Sequence, residues 1–182
     1  MKKILLAVTS LAIVMPAMAQ TNPAPTIVGA PSAEEMKLPR PARARGIPTA
    51  LAIEAAQAAN ASCQASTYKT TTLVTDSAGV PIVLISNDGA AAITQRIAMT
   101  KAQVVLKYKM SSGEVVTKTG TDAALAAEIK ANPMIDTARP GAFALMAGSD
   151  VVGFISVSGA PGGDKDEVCA RAAIAKIQDR VK

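Results

Sequence analysis

The chain has no histidine and no tryptophan, and its aromatic residues are two tyrosines and two phenylalanines among 182 residues. Without histidine, neither a serine–histidine nor a cysteine–histidine nucleophile pair can form within the chain. The commonest protein metal ligand is missing for the same reason. The scarcity of aromatic rings argues against a base-stacking surface that binds nucleic acid. The core must therefore be aliphatic, and hydrophobic residues make up 49% of the sequence.

The N-terminus has the three parts of a secretory signal peptide. Two lysines follow the first methionine, residues 4–15 form an apolar run, and an Ala-x-Ala cleavage site ends at Ala19. The apolar run is too short to span a bilayer as a mature helix. We therefore predict that residues 1–19 are a signal peptide, that the mature protein is periplasmic or secreted, and that no membrane span remains after cleavage.

The next segment, residues 20–46, is rich in proline, lacks an apolar period and ends in a basic cluster. We predict a tail or linker. Its basic end is either solvated or lies against a neighbouring subunit or an anionic surface. The formal net charge of the whole chain is +5, a mild bias that does not favour a nucleic-acid partner. Residues 47–182 are predicted to form a single domain.

Helical and strand patterns alternate along this domain. Helices are predicted at 50–65, 91–108, 122–131 and 165–181, strands at 67–76, 80–86, 142–147 and 151–157, and a loop at 111–120. Helix caps are predicted at Thr49, at Thr121 or Asp122, and at Asp164 with Glu167 as a reciprocal pair. Because the strands pair as hairpins, we predict an α+β domain with a mostly antiparallel sheet of four or five strands and helices packed on it.

The two cysteines, Cys63 and Cys169, are predicted to form a disulfide. Export places the chain in an oxidising compartment, where an even cysteine count favours pairing. Cys63 lies near the end of the first predicted helix and Cys169 in the first turns of the last, each on an apolar face. Antiparallel packing of these helices would bring the sulfur atoms together. The alternative is two buried free thiols.

A glycine-rich turn at residues 158–163 precedes the last helix. The backbone N–H groups of such a turn can cradle a phosphate. However, Asp164, Asp166 and Glu167 crowd the helix start, where they would repel an anion and are favoured by the helix dipole. We interpret them as capping groups, with a cation site as the alternative because hard cations take oxygen ligands.

A family pattern recurs in four segments of the domain. They are Val74-Thr75-Asp76 followed by Gly79; Asp88-Gly89-Ala90 followed by Thr94; Lys101-Ala102; and Val152 to Glu167 followed by Cys169-Ala170. From about residue 47 onward the chain thus resembles the GlcG/HbpS family of haem-binding-type proteins, which also resembles the C-terminal domain of some corrinoid adenosyltransferases. The resemblance implies a profilin- or roadblock-like sheet with helices on both sides, a homo-oligomer, and a tetrapyrrole-related role.

The resemblance also implies haem as the candidate cofactor and Asp88, Thr94, Lys101 and Gly159 as ligand-binding residues. Thr94 aligns where a haem-facing hydroxyl could sit, and Lys101 could pair with a propionate. Without histidine, the remaining protein ligands for haem iron are methionine, tyrosine and cysteine.

Two departures from the family pattern bear on function. Ile93 stands where periplasmic-type relatives often carry histidine, and Ser156 stands where the family usually has glycine. Two other interpretations therefore stay open: a structural or interaction module with a decayed ligand site, and an accessory protein in small organic-acid metabolism. No acid–base pair of defined geometry is visible, so the sequence does not favour an enzyme. The leading interpretation is an exported binding protein for haem or a related tetrapyrrole.

Overall fold

The computed structural model describes residues 43–135 and 137–182. The predicted signal peptide and most of the proline-rich tail lie outside these residues, so their assignment stays a prediction. No helix within the described part of the chain is long and apolar enough to cross a membrane.

Helices and strands follow the order expected for an α+β domain. The elements are α1 (Thr49–Ala65), β1 (Thr71–Asp76), β2 (Pro81–Ser86), α2 (Ile93–Tyr108), α3 (Ser112–Thr119), α4 (Ala123–Ala131), β3 (Ala142–Ala147), β4 (Asp150–Ser158), α5 (Gly163–Ile177) and a 3-10 turn (Gln178–Arg180). The four strands form one sheet in the order β2-β1-β4-β3, and every neighbouring pair is antiparallel. The predicted fold class is confirmed.

The prediction of a loop at residues 111–120 is wrong, because this segment contains helix α3. The Ser111 hydroxyl accepts the Glu114 N–H at 3.2 Å, and the Glu114 carboxylate accepts the Ser111 N–H at 2.8 Å. This reciprocal capping box satisfies two N–H groups that the first turn of a helix would otherwise leave open. Val115 is fully buried and anchors the short helix against α2 and α4.

The predicted caps had mixed outcomes. Asp122 caps α4 by accepting the Leu125 N–H at 2.9 Å, as predicted. Thr49 is not a cap, because it is already the first helical residue and no side chain caps that helix. The reciprocal cap at Asp164 is also wrong: α5 starts after Gly162 and has no side-chain cap.

The central strand β1 is buried along its whole length, because helices cover both faces of the sheet. Its alternate side chains point to opposite layers. Val74 joins the cluster formed with α1 and α5, whereas Leu73 joins the cluster formed with α2.

Helices α1 and α5 pack closely through small side chains. The fully buried alanines at their contact are Ala52, Ala55, Ala56 and Ala59 of α1 and Ala170 and Ala173 of α5. Cys63 and Cys169 form a disulfide across this contact, with a Cα–Cα distance of 5.4 Å. The predicted pairing is confirmed, and the distance lies within the range that disulfides require.

Candidate functional site

A pocket of about 320 Å³ opens where α2, the end of β4 and the start of α5 meet. We call it the ion-pair pocket, because a buried salt bridge lies in its wall. The lining residues used below are Thr94, Ile97, Lys101, Arg139, Gly159 and Asp166. Thr94, Ile97 and Lys101 lie three and four positions apart on α2, so one stripe of the helix faces this pocket.

Lys101 and Asp166 form the salt bridge. The Lys101 side chain is only 2% exposed, and its Nζ donates to Asp166 Oδ2 at 2.6 Å and to the Val157 carbonyl at 2.7 Å. Burial lowers the pKa of Lys101 and raises the pKa of Asp166, because a low-dielectric interior disfavours both charges. The attraction between the two groups opposes both shifts.

The backbone around this pair is shaped to hold it. Asp166 Oδ1 accepts the Ala160 N–H at 3.0 Å, so both carboxylate oxygens are engaged. Gly141 has a φ of +126°, and a Cβ atom there would lie 2.7 Å from Lys101 Nζ and 2.8 Å from Asp166 Cβ. A side chain at Gly141 would therefore displace the pair, and the left-handed backbone independently favours glycine.

Thr94 is part of a chain of hydroxyl groups. It is nearly buried, donates to the Ala91 carbonyl at 2.6 Å and hydrogen-bonds Thr71 Oγ1 at 2.7 Å. Thr71 in turn hydrogen-bonds Ser86 Oγ at 2.8 Å. Since the Thr94 proton is used on Ala91, Thr94 accepts from Thr71. Its hydroxyl thus ties the start of α2 to β1.

Gly159 lies at the rim of the ion-pair pocket, next to Thr94. Its φ is +127°, and a Cβ atom there would lie 2.5 Å from the Lys69 carbonyl and 3.3 Å from Thr94 Cγ2. The structure thus brings together Thr94, Lys101 and Gly159 of the predicted ligand-binding residues. Asp88 is exposed and lines a different depression beside Tyr68 and Lys69, so it does not join them.

The three acidic residues at the start of α5 do not act together. Asp166 is held by Lys101, whereas Asp164 and Glu167 line a separate depression between α3 and α5. Within residues 43–135 and 137–182, no group of three or more histidine, cysteine, aspartate or glutamate side chains could hold a metal ion. The geometry of the described residues therefore gives the cation-site alternative no support.

Arg139 is the pocket residue that the sequence did not reveal. It lies in the irregular segment before β3, where no periodic pattern assigns it to a site. Its Nη1 donates to the Thr137 carbonyl at 3.2 Å, and its charge adds to the lowering of the Lys101 pKa. Asp166 neutralises Lys101, and no salt bridge among the described residues includes Arg139, so the positive charge of Arg139 in the pocket lining would attract an anion.

Comparison with known proteins gives a consistent assignment. A family model described as "Haem degrading protein HbpS-like" matches residues 47–175. HbpS from Streptomyces reticuli, solved as a double mutant, is 26% identical with a TM-score of 0.66, over 85% of this chain and 99% of that chain.

Two more distant structures share the fold. Klebsiella pneumoniae protein ORFY is 18% identical with a TM-score of 0.68, over 80% of this chain and 99% of that chain. The crystallised PduOC–haem complex is 20% identical with a TM-score of 0.66, over 71% of this chain and 94% of that chain. A comparison with curated proteins gave no match. The match to the family model covers most of the domain, and we conclude that the chain belongs to the HbpS-like family.

Proposed function

We propose that this protein binds haem or a related tetrapyrrole, with the carboxylate edge of the ligand in the ion-pair pocket. The family assignment and the haem complex of the structurally similar PduOC support the class of ligand. The observation that carries the proposal is the positive charge of Arg139, which forms no salt bridge among the described residues, beside the neutralised Lys101–Asp166 pair. Ile97 in the pocket and the exposed Ile93 nearby on α2 offer an apolar surface to the macrocycle.

Recognition of a propionate fits the groups that line this pocket. A guanidinium can bind a carboxylate through two parallel hydrogen bonds, so Arg139 is the residue assigned to the propionate. Lys101 keeps its bonds to Asp166 and Val157 and supports the pocket wall, which revises its predicted role as a direct propionate partner.

The same pocket does not fit the role of an axial iron ligand. Thr94 donates its proton to Ala91, and Lys101 is bonded to Asp166. The chain contains no histidine. The proposal therefore assigns to these residues the periphery of the tetrapyrrole and no bond to the metal.

A titration with two porphyrins tests this assignment. Hemin and metal-free protoporphyrin IX should bind with similar affinity, because the pocket recognises the carboxylates. Arg139→Gln should weaken both by about tenfold, the effect of losing a charged hydrogen bond. Arg171→Gln is the matched control, since Arg171 stacks on the Phe143 ring outside this pocket.

Three results would count against the proposal. A strong preference for hemin over the metal-free porphyrin would show that a metal ligand dominates. Unchanged affinity in Arg139→Gln would remove the ion-pair pocket from the site. Absence of binding to either porphyrin would favour the alternative of a structural or interaction module.

We further propose that the protein is exported and forms a homo-oligomer. The Cys63–Cys169 disulfide supports export, because such bonds persist in oxidising compartments. Intact-mass measurement of the native protein should give a chain that begins at Gln20, and an uncleaved chain would contradict export. Light scattering at micromolar concentration should give a multiple of the chain mass, whereas a monomer mass would contradict the oligomer.

A further inference from the structure

A second pocket, also of about 320 Å³, lies along a different stripe of α2, beside the β1–β2 turn. We call it the methionine pocket; the lining residues used here are Leu73, Gly79, Arg96, Met99, Ala102 and Met134. None of the residues that line it also lines the ion-pair pocket. The two pockets therefore offer independent sites, one along each stripe of the helix.

The floor of the methionine pocket is rigid and apolar. Leu73 of β1 and Ala102 of α2 are almost completely buried. The β1–β2 turn closes in at Gly79, where φ is +79° and a Cβ atom would lie 2.9 Å from Leu106 Cδ2. The Thr100 hydroxyl at the wall already donates to the Arg96 carbonyl at 3.0 Å. The shape is thus set by packed backbone and core side chains.

The mouth of the same pocket is unusually apolar for a protein surface. Six large hydrophobic side chains are exposed in the described residues, and three of them, Val80, Met99 and Met134, lie at or beside this mouth. A cluster of exposed apolar side chains is typical of a binding surface. The flexible thioether side chains of methionine adapt to irregular apolar ligands.

Arg96 is the one charged side chain in the lining of this pocket. The salt bridges found among the described residues do not include it. A cation beside an apolar cavity selects a ligand with one anionic group and an apolar body. The volume lies at the lower end of the ~300–1,000 Å³ seen for small-molecule pockets, so the ligand must be short.

We propose that the methionine pocket is a second binding site, which takes a small amphipathic monocarboxylate. The carboxylate pairs with Arg96, and the alkyl body lies between Met99, Met134 and the Leu73 floor. This site does not depend on tetrapyrrole binding in the ion-pair pocket. An experiment can therefore refute either proposal and leave the other in place.

Octanoate, titrated into protein labelled with ¹³C at the methionine methyl groups, tests the site by NMR. The Met99 and Met134 methyl signals should shift in a saturable way, whereas Met146 in strand β3 should not. Octanol and octylammonium carry the same chain with a neutral or cationic head, and both should bind about tenfold or more weakly than octanoate. Equal binding of octanol and octanoate, or shifts confined to other signals, would overturn the proposal.

Charge variants test the role of Arg96 in the folded protein. Arg96→Gln should weaken octanoate binding about tenfold, whereas Arg96→Lys should bind with an affinity between those of the native protein and Arg96→Gln, because it keeps the charge but loses the paired N–H groups of the guanidinium. Arg171→Gln should behave as the native protein. The Met146 signal, which octanoate should not shift, reports whether each variant is folded. Native affinity in folded Arg96→Gln would overturn the assignment.

A competition experiment separates this inference from the proposed tetrapyrrole site. Protoporphyrin IX at saturation should leave the octanoate-induced shifts of Met99 and Met134 in place. Displacement of octanoate by the porphyrin would show that both occupy one pocket and would overturn the claim of a separate site.

Discussion

The two faces of the sheet differ in how many buried polar groups they carry. The layer toward α1 and α5 is mainly aliphatic, rich in alanine and crossed by the disulfide, with one buried polar pair in which the Thr72 hydroxyl donates to Asn60 Oδ1 at 2.6 Å. The layer toward α2 holds the buried Lys101, the hydroxyl chain through Thr71 and Thr94, and the buried Ser156. Both pockets lie along α2. One face of the sheet thus serves stability, and the other carries the groups suited to binding.

Small side chains explain why the stable face needs a covalent link. Alanine buries little apolar area, so each of the contacts between α1 and α5 contributes less than a leucine or phenylalanine contact would. The disulfide reduces the conformational entropy of the unfolded chain, and this stabilisation offsets the small apolar area that the alanines bury. We therefore expect substitutions on the two faces of the sheet to change the free energy of unfolding by different amounts.

The largest effect is expected from removal of the disulfide. Cys63→Ala combined with Cys169→Ala should lower the free energy of unfolding by at most about 4–5 kcal/mol in the chain-entropy account, because the bond closes a loop of 106 positions. Urea unfolding measures the loss. Reduction with dithiothreitol should destabilise the native protein similarly but leave the double variant unchanged. A native unfolding midpoint in the double variant would contradict this account.

The next effect concerns the ion pair on the α2 face. Asp166→Asn should lower the free energy of unfolding by about 3–5 kcal/mol, because it leaves the Lys101 ammonium buried without a counter-charge. Lys101→Met combined with Asp166→Leu should recover much of this loss, since no charge then stays buried. If the double variant were no more stable than Asp166→Asn, the loss in Asp166→Asn would not come from an unpaired buried charge.

The pH dependence of this ion pair has a definite sign. The pKa of Asp166 is raised in the folded protein above its ordinary value of 3.8. Between the ordinary pKa and the raised pKa of Asp166, the folded state binds more protons at this group than the unfolded state. The contribution of Asp166 to stability is therefore full at low pH and is lost as the pH rises. The stability of the native protein relative to the double variant Lys101→Met with Asp166→Leu, which lacks both charges, should therefore grow as the pH falls from neutrality toward the ordinary Asp166 pKa of 3.8. An advantage that shrinks would contradict the raised pKa.

Much of the fold could be predicted because its signals are local. The helix periods, the two hairpins and the cysteine faces all appear within short windows. Helix α3 was missed because its β-branched residues weaken the helical pattern, although Ser111 and Glu114 had the spacing of a capping box.

The candidate site was predicted only in part, because its contacts are distant in sequence. Lys101 and Asp166 are 65 positions apart, and each was assigned a separate role. Their pairing depends on how closely α2 and α5 approach, which the Gly141 backbone permits. Arg139 stands in an irregular segment, where no sequence period relates it to a pocket.

The smallest predicted effect tests whether unpaired polarity on the α2 face costs stability. Ser156 pairs with Leu73 and Ala142 in the sheet, so it faces α2. It is fully buried, and its hydroxyl has no hydrogen-bond partner within the described residues. Ser156→Ala should therefore raise the free energy of unfolding by about 1 kcal/mol, because the alanine avoids the desolvation of a hydroxyl.

Thr94→Val is the matched comparison for Ser156→Ala, because it also removes a buried hydroxyl from this layer. The Thr94 hydroxyl has two partners, Ala91 and Thr71, so its loss should lower the free energy of unfolding by about 1–2 kcal/mol. Opposite signs for the two variants, measured by urea unfolding at one pH, would show that the α2 layer tolerates hydroxyl groups only within a network. A loss of stability in Ser156→Ala would instead show that Ser156 contributes to the layer, and the unpaired assignment would be wrong.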